Sequence, residues 1–101
     1  MRLTILALAM IALPAMAQGP ENGTVVFVDI AGDRFGATFY AVSGFVEVFR
    51  DPGNGSPVPD ATATAVAEAA LAASGFGQCL TDAPRPSGLG IAGFTEVPYR
   101  C

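Results

Sequence analysis

Histidine, lysine and tryptophan are all absent from the 101-residue chain, and its only basic residues are five arginines, Arg2, Arg34, Arg50, Arg85 and Arg100. These absences exclude whole classes of chemistry. Without histidine or lysine there is no Ser-His or Cys-His nucleophile pair, no imidazole metal site, no Schiff base and no phosphate-loop lysine. The nine acidic residues outnumber the arginines. Nucleic acid and anionic membrane surfaces both demand clustered cations, so neither is an expected partner. No apolar run reaches the roughly 20 residues that span a bilayer core.

What is present begins with an export signal. Met1 to Ala17 carries Arg2, an apolar run from Leu3 to Leu13 broken by Pro14, and the small-residue pattern Ala15-Met16-Ala17. This is the arrangement of a cleavable signal peptide, with cleavage expected before Gln18. The mature chain is then a single domain in a secreted or periplasmic setting, with no membrane association after cleavage. The only two cysteines, Cys79 and Cys101, are expected to form one disulfide there, since an oxidising compartment favours pairing over free thiols. Their spacing is unlike the Cys-x-x-Cys of redox motifs.

Once residues 1–17 are removed, glycine and proline make up about 23% of the chain and Leu, Ile, Val and Phe about 25%. That apolar share exceeds the ~20% below which chains of this kind stay disordered. Gln18 to Gly23 reads as a flexible leader and 24–101 as the folded domain. The stretches Arg50–Pro59 and Asp82–Gly90 read as loops on their turn-residue density. The β-branched and aromatic run Thr24–Ile30 reads as a strand. Phe35–Val42 and Phe45–Arg50 read as two more, joined at Ser43-Gly44 as a two-residue hairpin loop. That register sets Tyr40 opposite Glu47, Phe39 opposite Val48 and Ala41 opposite Val46.

Eight alanines between Ala61 and Ala73 predict the one helix, with Asp60 placed to cap it and Gly75 to end it. Ala63, Val66, Ala67, Ala70 and Leu71 share one face at helical spacing. A last strand, Phe94–Tyr99, is weakened by Pro98, which suits an edge or a strand end. The order β-β-β-α-β predicts a small α+β domain, an antiparallel sheet with the Ala-rich helix across one face.

The core face under the helix collects Val26, Val28, Ile30, Phe39, Ala41, Val46 and Val48. The opposite face collects Phe27, Tyr40, Val42, Phe45 and Phe49, interleaved with Asp29, Thr38 and Glu47. No second helix is predicted to cover it. Two readings stay open: an interaction surface built on Phe27, Tyr40, Phe45 and Phe49, or a second, minor core beneath folded-back loops.

Motifs with chemical content are few. Gly88-Leu89-Gly90-Ile91-Ala92-Gly93 matches G-x-G-x-x-G by letter, but a proline-containing loop precedes it and the chain ends eight residues later. A dinucleotide site needs a strand before and a helix after, so the glycines read as loop and no cofactor is expected. Asp51, Asn54, Ser56 and Asp60 offer oxygen ligands, yet Gly53 and Gly55 occupy positions where a calcium loop needs side chains. Turn formation explains those residues without a metal. Asn22-Gly23-Thr24 and Asn54-Gly55-Ser56 match the glycosylation acceptor pattern. Asp29 and Glu47 are the only candidate catalytic pair, as neighbouring carboxylates among aromatics in the manner of a glycan hydrolase.

No stretch carries a motif that assigns the chain to a family. The expected role is an exported binding module acting on a protein partner or a second copy through the aromatic face. The alternatives are a small carboxylate-dependent hydrolase of envelope or extracellular glycans, and a purely structural envelope protein.

Overall fold

A computed structural model of the chain describes residues 19–101. The signal-peptide reading of Met1 to Ala17 lies outside the described residues. The elements are β1 (Val25–Ile30), β2 (Asp33–Tyr40), β3 (Phe45–Arg50), α1 (Asp60–Ala73), β4 (Leu80–Thr81), β5 (Arg85–Pro86) and β6 (Thr95–Arg100). All six strands form one antiparallel sheet in the order β1-β2-β3-β6-β4, with β5 also pairing β6. This is the small α+β domain that the pattern predicts, with two short strands more than expected.

Backbone chemistry at the turns sets the register. Between β1 and β2, Ala31 and Gly32 both take positive φ (53° and 88°), and Ile30 faces Asp33. Two consecutive left-handed residues make the tight turn that matches strand twist. The β2–β3 turn differs from the two-residue loop expected at Ser43-Gly44. Only Gly44 takes positive φ, and the N–H groups of Ser43 and Gly44 both donate to Tyr40 O. A serine at the first left-handed position would be strained, so the chain makes a four-residue turn over Ala41–Gly44 instead. Tyr40 therefore faces Phe45, Phe39 faces Val46 and Thr38 faces Glu47. The pairing is two residues away from the predicted one, and because the side-chain period is two, the face assignments of the residues on the strands survive. Ala41 and Val42, expected on opposite faces of the second strand, instead lie in the turn beyond its end at Tyr40.

Helix α1 follows its pattern closely. Its buried residues are Ala63, Val66, Ala67, Ala70 and Leu71, the face predicted at helical spacing. Pro59, not Asp60, is the N-cap, and no side chain caps the helix. Proline holds the extended conformation that the cap position needs, which moves Asp60 into the first turn, where its charge suits the helix dipole. At the other end Gly75 is left-handed, its N–H donates to Ala72 O, and the Phe76 N–H donates to Leu71 O at 2.8 Å. That is a Schellman closure, and it brings Phe76 back against the core.

The core lies between α1 and the sheet, filled by Phe35, Phe39, Val46, Val48, Val97 and Tyr99 from the strands. Val26, Val28 and Ile30 are only half-buried, because β1 is an edge strand. The Thr95 hydroxyl donates to Val58 O at 2.7 Å and pins the loop that leads into α1.

Strand β6 is an interior strand and not the edge that Pro98 suggested. Its neighbours are β3 on one side and the broken edge β4/β5 on the other. Pro98 fits because it has no N–H to satisfy, while its carbonyl accepts the Asp82 N–H at 2.9 Å. The disulfide Cys79–Cys101 continues the β4–β6 pairing one residue beyond Leu80↔Arg100. Gly19 runs beside Tyr99 and Cys101 and Pro20 is buried, whereas Glu21, Asn22 and Gly23 are exposed.

Candidate functional site

The sheet face turned away from α1 carries the candidate side chains. Alternation along β1, β2 and β3 puts Phe27, Gly36 and Phe49 in one row across three strands, with Phe27↔Gly36 and Gly36↔Phe49 as register partners. A side chain at Gly36 would collide with the Phe49 ring. The ring thus lies over the glycine, reaching Phe27 edge-on at 6.3 Å between centroids. On its other side Phe49 stacks on Phe94 at 4.8 Å and a 20° tilt. Tyr40 and Phe45 make a separate tilted pair at 5.3 Å near the β2–β3 turn.

Phe94 ends the segment 87–94, which folds back over β3 and β6. The loop therefore covers one half of this face and leaves the other half open. Over β3 and β6 the loop makes a second layer, and Phe49 belongs to it. On the β1 side nothing among the described residues covers the sheet, and Val25 and Phe27 are 48% and 46% exposed. The Arg34 guanidinium sits 4.8 Å from the Phe27 ring centroid while its Nε reaches Asp51 Oδ2 at 3.1 Å. Arg34 and Phe49 thus flank the half-exposed Phe27 ring.

Beneath the loop lies a buried acid pair. Glu47 on β3 directly faces Glu96 on β6, and the two are 0% and 2% exposed. Arg85 of β5 pairs with Glu96 Oε2, the Gly88 N–H donates to Glu96 Oε1 at 2.9 Å, and the Ser87 hydroxyl donates to Glu47 Oε2 at 3.1 Å. Glu47 Oε1 is buried and has no hydrogen-bond partner among the described residues. Two facing carboxyls thus share one guanidinium. Burial pushes the Glu47 carboxyl above its usual range, the Ser87 hydroxyl opposes that, the Glu96 charge adds to it, and Arg85 opposes it.

The folded chain therefore holds a proton on Glu47 at pH values where the unfolded chain, titrating near 4.5, has released it. Stability must then fall as pH rises from about that value through the raised one. Glu47→Gln, which keeps the shape and removes the titration, is expected to flatten this slope and to melt higher than the wild type above neutral pH. Thermal melts of both proteins at mildly acidic and alkaline pH check it. Parallel profiles for the two would remove the role assigned to Glu47.

The structure does not bring Asp29 and Glu47 together as a catalytic pair. Asp29 is exposed on edge strand β1 opposite Arg34, whereas Glu47 lies four residues away in register and two strands over, buried under Ser87. The two-residue difference in hairpin register does not cause this. What separates them is the position of Asp29 near the far end of β1. The partner that Glu47 does meet, Glu96, follows Phe94 by two and shares its face. The alternation Phe94-Glu96-Pro98 against Thr95-Val97-Tyr99 is the signal for that, and it becomes legible only once β6 is known to lie beside β3. Arg85 and Ser87 carry no local signal for their roles.

The glycine-rich segment opens on Gly88, where a Cβ would sit 2.7 Å from Glu96 Oε1. Glycine is needed there so that the backbone can approach the carboxylate. In the Asp51–Asp60 loop, Asn54 Oδ1 accepts the Ser56 N–H at 2.9 Å and Asp51 faces Arg34. Among the described residues no group of three or more Cys, Asp or Glu side chains is placed to hold a metal, and no helix is long and apolar enough to cross a membrane.

No family model matches the chain, and neither the curated proteins nor the solved structures include a significant match. The reading of the site rests on its own geometry.

Proposed function

We propose that the protein is an exported interaction module that captures a protein partner, or a second copy of itself, through the open half of its aromatic sheet face, with Phe27 as the anchor. The observation that carries this is Phe27 itself: a ring 46% exposed yet flanked by Phe49 and the Arg34–Asp51 bridge. An aromatic side chain flanked on two sides and half in water loses little entropy on docking, which is the character of an interface anchor. Val25 beside it on the same face of β1, and Leu89 and Ile91 on the covering loop, add exposed apolar surface to that layer. The reading of Met1 to Ala17 as a signal peptide supports a secreted or periplasmic location, and a disulfide-stapled domain agrees with it.

The test is the non-denaturing intact mass of wild type and Phe27→Ser, each recovered from the export compartment without reductant. The expected result is a complex in the wild type that the variant loses, with both proteins melting within a few degrees of each other. A complex that survives Phe27→Ser overturns the assignment of the anchor.

A further inference from the structure

The free edge of β1 deepens that reading by naming a partner. In an antiparallel ladder, residues alternate between those whose backbone N–H and C=O face the neighbour and those whose groups face away. Thr24 O accepts the Phe39 N–H, so Thr24 faces β2, and by alternation Val26, Val28 and Ile30 do too. The backbone groups of Val25, Phe27 and Asp29 then point to the open edge, three donors and three acceptors that no strand among the described residues receives. Natural edge strands are usually blunted by proline, lysine or a bulge. β1, with the sequence VVFVDI, carries the single charge of Asp29 near one end but no proline or lysine, and its register with β2 is unbroken.

We infer that β1 pairs with β1 of a second copy about a two-fold axis through Phe27. The three outward residues are symmetric about Phe27, so one antiparallel register satisfies all of them: Phe27 opposite its counterpart, and Val25 opposite Asp29 in both directions. That register forms six backbone hydrogen bonds, and the contact is self-complementary, as a two-fold interface requires. On the helix side it sets Val26 against Val28 of the other copy, twice. Those are the core side chains that the isolated edge leaves half-buried. On the open face it joins the rows Phe94-Phe49-Phe27 of both copies into one. Any antiparallel strand matches the spacing of the outward groups, and the second copy is favoured over an unrelated strand because its own Val26 and Val28 cover the half-buried valines of the first.

This inference rests on Phe27 being an interface residue, but its test acts elsewhere. Val25→Pro removes an N–H that only the free edge presents, leaving the bonds to β2 and the Phe27 ring in place. In sedimentation velocity from micromolar to millimolar protein with the disulfide intact, the wild type is expected to dimerise and Val25→Pro to stay monomeric. Because Val25 faces Asp29 of the other copy, Val25→Lys is expected to tighten the dimer and Val25→Glu to weaken it, each about fivefold. These two variants carry the test if Val25→Pro does not fold.

A wild type monomeric throughout, a dimer indifferent to Val25→Pro, or Lys and Glu variants that shift in the same direction would each overturn the pairing. A monomer whose complex with another protein still requires Phe27 overturns the pairing alone and leaves the proposed function standing. A Val25-dependent dimer unaffected by Phe27→Ser overturns the anchor and leaves the edge pairing.

Discussion

Replacing Cys79 and Cys101 together by serine is expected to lower stability by about 3 kcal/mol, the loop-entropy value for a closure of this length, and the melting temperature by roughly 12 to 24 °C. The two cysteines lie 22 positions apart, and the loop they close contains β4, β5 and the whole 82–94 segment. The bond therefore constrains the strands beside β6 and the loop over the acid pair at once. It also lies against the start of the described chain, where a Cβ on Gly19 would be 2.9 Å from Cys101 Sγ. Domains of this size bury a smaller fraction of their surface than larger ones do, and ~3 kcal/mol is a large part of what holds them folded. Circular dichroism melts of wild type, reduced wild type and the double variant measure the effect. A fall of only a few degrees would mean that the sheet and helix α1 hold the fold without the staple.

Gly36→Val carries the second large effect, an expected loss of about 1 to 3 kcal/mol from overpacking. Gly36 is buried on central strand β2, and the added side chain would occupy the space of the Phe49 ring. The ring has nowhere to go, since Phe94 stacks on one face of it and Phe27 meets its edge. Displacing it strips the covering loop of its aromatic contact and opens the layer over Glu47 and Glu96. If this is the cause, Phe49→Ala in the Gly36→Val background should cost less than Phe49→Ala alone. Denaturant titrations of the two single variants and the double variant give that coupling. Additive losses would show that valine is harmful for a reason unrelated to the ring.

Much of the architecture is legible along the chain because it rests on local periodicity. The alternation of Val26, Val28 and Ile30 marks a strand, and the spacing of Ala63, Val66, Ala67, Ala70 and Leu71 marks the buried face of α1. The Cys79–Cys101 pairing follows from there being only two cysteines. The β2–β3 register is less legible because Ser43-Gly44 does not specify a turn. β4 and β5 are two residues each, too short to show any period, and they exist because the edge of β6 must be paired. The side-chain preference that points to Asp60 as the cap does not find Pro59, because backbone conformation decides that position.

The candidate site divides along the same line. Which residues of one strand share a face, such as Phe45, Glu47 and Phe49 on β3, is determined by the sequence alone, since a strand sends alternate side chains to opposite sides. That Phe27 of β1 joins them depends on the register of the pairings between the strands. The domain class, the helix face and the disulfide are local or forced by composition in the same way. Only the tertiary structure decides that β6 inserts beside β3, and every non-local fact follows from that one placement. Glu96 then faces Glu47, Arg85 and Ser87 close over them, Phe94 stacks on Phe49, and Asp29 is left exposed at the far edge. A contact between residues 49 positions apart costs loop-closure entropy that no local pattern records. What offsets that cost is burial of the whole sheet against α1, a property of the assembled fold and not of either segment.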